Sequence, residues 1–364
     1  MPTIFIKDDF RASVEGASGG KQTVMYTAAG HPSIMNIIPA FSMDDLIPGL
    51  NTNLGTTYST GDLGTGVHPA FIVNGVKKGQ IYIGTYQGIV KDNNLLSLPN
   101  VAPTVSTSFD TFQTRAAANG TGWHMVTRAE WSAISLWCAA NGTQPRGNNN
   151  YGRDASLTWE TARRTDGLAP GYTTSGGLTL TGSGPASWRH DGTPFGISDL
   201  NGNVMEWCGG LRINEGEINI LENNNAADNT KSQAAGSTEW KAISGVDGTL
   251  VTPGSANTVK YATSGTTNYT FVRASGASFE GMTNPGTTPV GTEALKLAKQ
   301  LCAFPVHTTN LGADYFYVDV TGERVPYVGG VWNNGSAAGV FHLNLRLLRS
   351  FTSSDIGSRV AYVG

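Results

Sequence analysis

Charge is scarce in this chain. Only 14% of its 364 residues are Asp, Glu, Lys or Arg, and the formal net charge is −3. Without a basic excess there is no electrostatic footprint for nucleic acid and no polybasic patch for a lipid surface, so neither is an expected partner. Cysteine is scarcer still. Cys138, Cys208 and Cys302 are too few and too scattered for a disulfide framework or a zinc site with paired CxxC-like spacing, and they read as small buried hydrophobes. No stretch of about 18 apolar residues occurs, and MPTIFIKDDF at the amino terminus lacks a basic segment followed by an apolar one. Neither a membrane span nor a Sec-type signal peptide is expected.

What the chain has in quantity is glycine, 47 residues, together with Asn, Thr and Ser. That composition favours tight turns and loops over long helices. Residues 1–65 read as irregular, with short apolar pieces such as NIIPAF, and a domain boundary is expected near Gly66. Beyond it, Asn74-Gly75 between two strand-like runs signals a hairpin. The stretch TRAEWSAISLWCAANG predicts a helix: Thr127 caps it, Glu130 completes a capping box, Trp131, Ile134 and Cys138 share a face, and Gly142 closes it. A second short helix is expected at LTWETARR and a third at TEALKLAKQLC. The polar tract 222–290, with strands at NTVKYAT and NYTFVRA, reads as an elaborated surface insertion.

The segment WRHDGTPFGISDLNGNVMEWCGG predicts a tight polar corner feeding a buried strand. Asp199, Asn201 and Asn203 form turns, Gly202 supplies a positive φ, and Val204, Met205 and Trp207 enter the core. Asp and Asn oxygens also suit calcium, which leaves a structural calcium ion open, although the spacing is not that of an EF-hand. No other cofactor is expected. There is no GxSxG elbow and no GxxxxGK phosphate loop, and the six histidines show no cluster at short spacing.

Four stretches taken together, GWHMVTRAEWSAISLWC, NGTQPRGNNNYGRD, GISDLNGNVMEW and GGVWNNGSAAGVFHLNLRLLRSFTSSDIGSRVAYVG, resemble the formylglycine-generating-enzyme branch of the C-type lectin fold. Within that branch the chain looks most like the variable proteins of diversity-generating retroelements, over roughly residues 66–364. The resemblance implies an α+β, C-type lectin-like fold of the formylglycine-generating-enzyme or sulfatase-modifying type, with short antiparallel strands, a few helices and long loops. It departs from the oxidases of the branch, which hold copper through two cysteines in the carboxy-terminal part of the domain: no cysteine follows Cys302. The WNN at 332–334 also lacks the acidic residue expected of a sugar-binding calcium site.

The resemblance implies that residues 329–364 are a variable region, altered at template adenines around a fixed scaffold. Gly330, Trp332, Gly335, Gly339, Val340, Phe341, Leu343, Leu345, Ile356, Gly357, Arg359 and Val360 match the family scaffold. Val331, Ala337, His342, Arg346, Leu347, Leu348, Phe351, Ser353, Ser354 and Ser358 fall where the family commonly varies. Adenine replacement in an Asn codon reaches every residue type in that second set, and it cannot produce Lys, Glu, Gln or Met, which are absent from 329–364. By pattern alone, Leu347, Leu348 and Phe351 are core residues of a strand with a bulge or bend; the resemblance instead implies that they are displayed with Arg346 and His342 for contact. It further implies a non-catalytic binder of a protein or other surface ligand on a target cell, located on a phage particle or a cell surface. Residues 1–65 would serve attachment or oligomerisation. The alternatives are a formylglycine-generating-type oxidase and an invariant structural protein of a virion.

Overall fold

The helix expected from TRAEWSAISLWCAANG anchors the structure. In the computed structural model, which describes residues 8–274 and 276–364, it spans Arg128–Asn141 and is numbered α4 below, after α1 (Asp9–Ser18), α2 (Met43–Leu54) and α3 (Phe109–Ala117). The Thr127 hydroxyl accepts from the Glu130 N–H at 3.2 Å, the Glu130 carboxylate accepts from the Thr127 N–H at 2.9 Å, and Gly142 ends the helix at φ 65°. Buried residues lie on nearly every face, because α4 is covered by α2 on one side and by a central sheet on another. Gly49 allows the close approach of α2: a Cβ there would collide with the Ala140 carbonyl.

Among the described residues, short strands, two of them longer than five residues, make up the rest of an α+β architecture. The first sheet runs Gln22–Tyr26, Pro32–Pro39, Gln80–Gly84, Val360–Tyr362, Trp123–Met125, all antiparallel. This corrects the boundary expected near Gly66. Strand Pro32–Pro39 pairs directly with Gln80–Gly84, and Met43, Leu46, Ile47 and Leu50 of α2 join the main core, so residues 8–65 are integral to the body that holds the carboxy terminus. The pieces looked irregular because each is short and buried against partners distant in the chain.

The central sheet has the order Phe316–Val318, Gly339–Leu345, Tyr327–Gly329, Met205–Trp207, Ile356–Ser358. A third sheet gathers Leu211–Asn214, Glu217–Ile220, Lys241–Ile243, Leu250–Val251 and Glu323–Arg324, with Lys260–Ala262 and Thr270–Val272 attached. The polar tract is therefore less superficial than expected. Val259, Tyr261 and Phe271 are buried in the main core, beside α5 (Thr292–Gln300), whose Ala294 and Ala298 face inward as the spacing predicts. The hairpin at Asn74-Gly75 forms with both turn residues at positive φ. No helix forms at LTWETARR. Asp154 Oδ1 accepts from the Ser156 and Leu157 N–H groups, and Glu160 is held by Arg146 and by Trp188 Nε1, so turn chemistry outcompetes helix propensity.

Candidate display site

The four resembling stretches meet in space. Trp131 Nε1 and Ser135 Oγ of α4 donate to the Val340 carbonyl at 2.8 and 2.9 Å. The Asn148 amide donates to Asn203 Oδ1, Gly202 N–H to the Gly329 carbonyl, and Gly335 N–H to the Asn149 carbonyl. A Cβ on Gly202, at φ 79°, would collide with the Asn148 carbonyl, so the corner requires glycine. The same bonds decide the calcium question for this corner. Asn203 Oδ1 accepts from Asn148 and Thr179, Asn201 Oδ1 from Asn149, and Asp199 Oδ2 from Gly182 N–H and Ser198 Oγ. These donor oxygens are already committed to protein donors, which does not fit a cation there.

Two sheets are pinned together by a buried ion pair. Arg359 lies between strand Ile356–Ser358 of the central sheet and Val360–Tyr362 of the first. Its guanidinium bonds both oxygens of Glu206 at 2.7 and 2.9 Å and donates to the Gly84 and Ser198 carbonyls. Gln87 completes the Glu206 environment at 3.1 Å. Both members of the pair are fully buried.

In strand Gly339–Leu345 the apolar Phe341, Leu343 and Leu345 alternate with His342 and Asn344, and all three are buried in the main core. The strand ends at Leu345, so the residues after it are not held to its two faces. Residues 346–355 form a loop lying over the sheet, tied by Val325 N–H to the Leu347 carbonyl, Phe109 N–H to the Arg349 carbonyl and Ser106 N–H to the Ser353 carbonyl. Arg349 clamps it, bonding Glu323 through two nitrogens at 2.7 and 2.8 Å and Asp110 at 2.7 Å. Sequence reasoning did not assign this anchoring role. Its partners are 26 and 239 positions away in the chain, so no local signal marks it.

The ten sequence-derived positions divide by exposure. Arg346, Leu348, Phe351 and Ser354 are exposed, Leu348 by 51% and Phe351 by 42%. Ala337, Leu347 and Ser353 are half-buried, and Leu347 packs against the cluster containing Trp207 and Tyr327. Val331, His342 and Ser358 are buried, which corrects the expectation that they are displayed. Val331 N–H is held by Asn334 Oδ1, Ser358 Oγ donates to the Trp207 carbonyl, and the His342 ring lies 5.9 Å from that of Tyr315. His342 Nδ1 contacts the Ala337 carbonyl at 2.9 Å and so carries the proton. Burial pushes its pKa down from 6.5 to about 4.

Oxidase chemistry finds no poised thiolate. All three cysteines are buried, and desolvation pushes each thiol above its usual range, Cys302 to about 12. Among the described residues, no group of three or more His, Cys, Asp or Glu side chains is placed to hold a metal ion. No described helix is long and apolar enough to cross a membrane.

The chain matches no protein-family model and no curated protein. Among solved structures it is similar to Treponema denticola variable protein 1, at 12% identity and a TM-score of 0.33, over 94% of this chain and 98% of that one. At that TM-score the likeness fixes neither fold nor role.

Proposed function

We propose that this protein is a non-catalytic ligand binder whose carboxy-terminal loop is a hypervariable display surface on a rigid C-type lectin-like scaffold of the formylglycine-generating-enzyme type. One observation carries the reading. Two large apolar side chains, Leu348 and Phe351, stand in solvent on a loop whose backbone and Arg349 clamp are firmly held. Exposed apolar area on a fixed frame suits recognition of a partner surface. The contact set is Arg346, Leu347, Leu348, Phe351, Ser353 and Ser354, with Ala337 at its margin. The ligand is a protein or other molecule on a target cell, and the setting is a phage receptor-binding tip or a cell surface. Weak single contacts would be strengthened by display of many copies.

Sequencing isolates of the gene tests this reading. Differences should concentrate at Arg346, Leu347, Leu348, Phe351, Ser353 and Ser354, and a near-copy of the last coding segment should carry Asn codons there. Variation spread evenly over the surface would refute it and favour an invariant structural protein.

A further inference from the structure

Beside the display loop lies a patch that the ten sequence-derived positions largely miss. Tyr315 and Tyr317 stack, with ring centroids 5.9 Å apart and planes inclined by 17°. Two guanidinium groups approach Tyr317: Arg273 at 4.6 Å and Arg346 at 5.4 Å from the ring centroid. Neither arginine forms an ion pair or a side-chain hydrogen bond among the described residues, in contrast to Arg146, Arg164, Arg212, Arg324, Arg349 and Arg359, which all hold carboxylates. Asn344 sits across the strand from Tyr317, and its Oδ1, together with Arg273 Nε and His342 Nε2, is buried without a hydrogen-bond partner.

Resting on the binding role proposed above, we infer that Arg273, Tyr315 and Tyr317 form a fixed subsite with Arg346, and that it takes an acidic side chain of a polypeptide partner. A carboxylate supplies what two unpaired guanidinium groups lack, and charge-assisted hydrogen bonds to arginine are among the strongest a surface can make. Leu348 and Phe351, two and five positions beyond Arg346 in the same loop, favour a polypeptide over a sugar, because their exposed apolar side chains match apolar side chains better than hydroxyl groups. Three of the four residues lie outside 329–364. The preference for acidic partners would therefore persist while the loop changes.

Selection from a random peptide library against the full chain tests the inference, with sialyllactose as a carboxylate-bearing sugar probe. Enriched peptides should carry Asp or Glu beside an apolar residue. Their affinity should fall roughly tenfold or more in Arg273→Gln and in Arg346→Gln, and also with rising salt. If Arg273→Gln fails to fold, judged by circular dichroism, the exposed Arg346→Gln carries the readout. Peptides without acidic residues, indifferent to both arginine changes but lost in Leu348→Asn, would overturn the subsite and leave the display role intact. Binders indifferent to all three changes would overturn both. Arginine-dependent binding of sialyllactose with no peptide enrichment would overturn the polypeptide assignment, and no binding of either probe would overturn the subsite.

Discussion

Replacing Arg359 by Met should lower the unfolding free energy by about 3–5 kcal/mol, because it leaves the Glu206 carboxylate buried without its partner. The guanidinium also satisfies the Gly84 and Ser198 carbonyls, so two acceptors lose their donor at the same time. Methionine has comparable length and leaves little void, which isolates the electrostatic loss from a cavity. Urea unfolding followed by tryptophan fluorescence measures it. The double variant Arg359→Met, Glu206→Gln should recover part of the loss, since the stranded charge is gone. Leu348→Asn and Phe351→Asn should change stability by no more than about 0.5 kcal/mol, being exposed. If the loop substitutions cost as much as Arg359→Met, the separation of scaffold from displayed surface would be wrong, and with it the idea that the loop tolerates replacement.

That separation was legible where the chemistry is local. Thr127, Glu130 and Gly142 marked the ends of α4 because caps act across a few residues, and all three serve as the sequence predicts. Gly202 was legible for the same reason, and the alternation of Phe341, Leu343 and Leu345 correctly identified one face of a strand. Leu348 and Phe351 are exposed because the strand rule does not extend into a loop; nothing in the alternation itself marks Leu345 as its last residue.

What was illegible depends on partners distant in the chain. His342 falls on the outer phase of the strand, yet Tyr315, from the segment before the neighbouring parallel strand, covers it. Ser358 is likewise buried beside a distant neighbour, its Oγ donating to the Trp207 carbonyl, and Val331 is buried as well. Residues 8–65 carry two strands and two helices whose short apolar runs acquire meaning only against Gln80–Gly84 and α4. At LTWETARR the helix pattern was overridden by Asp154 and Glu160, whose side chains serve neighbouring backbone and Arg146. The Tyr315, Tyr317 and Arg273 patch unites segments more than 40 residues apart, so only the packing reveals it.

The burial of His342 has a consequence in acid. Unfolded, its imidazole titrates near 6.5, whereas in the native state the buried ring stays neutral down to about 4. Between those values the unfolded chain binds a proton that the native one does not, so this residue removes stability as pH falls and removes none above about 7. From pH 7 to 4.5 the difference amounts to roughly 2–3 kcal/mol. His342→Asn keeps an uncharged polar side chain and abolishes the titration. Buried His68 and His190 are shifted down in the same way, and His124, where the Glu130 carboxylate outweighs burial, is shifted up; all three are common to both proteins and cancel in the comparison. Asp314, raised by burial beside the same strand, titrates in the opposite sense and is likewise shared. Urea midpoints across this range should therefore fall more steeply in the native sequence than in His342→Asn. Parallel curves would mean that the native ring takes up its proton at an ordinary pH, and that Tyr315 does not keep water from it.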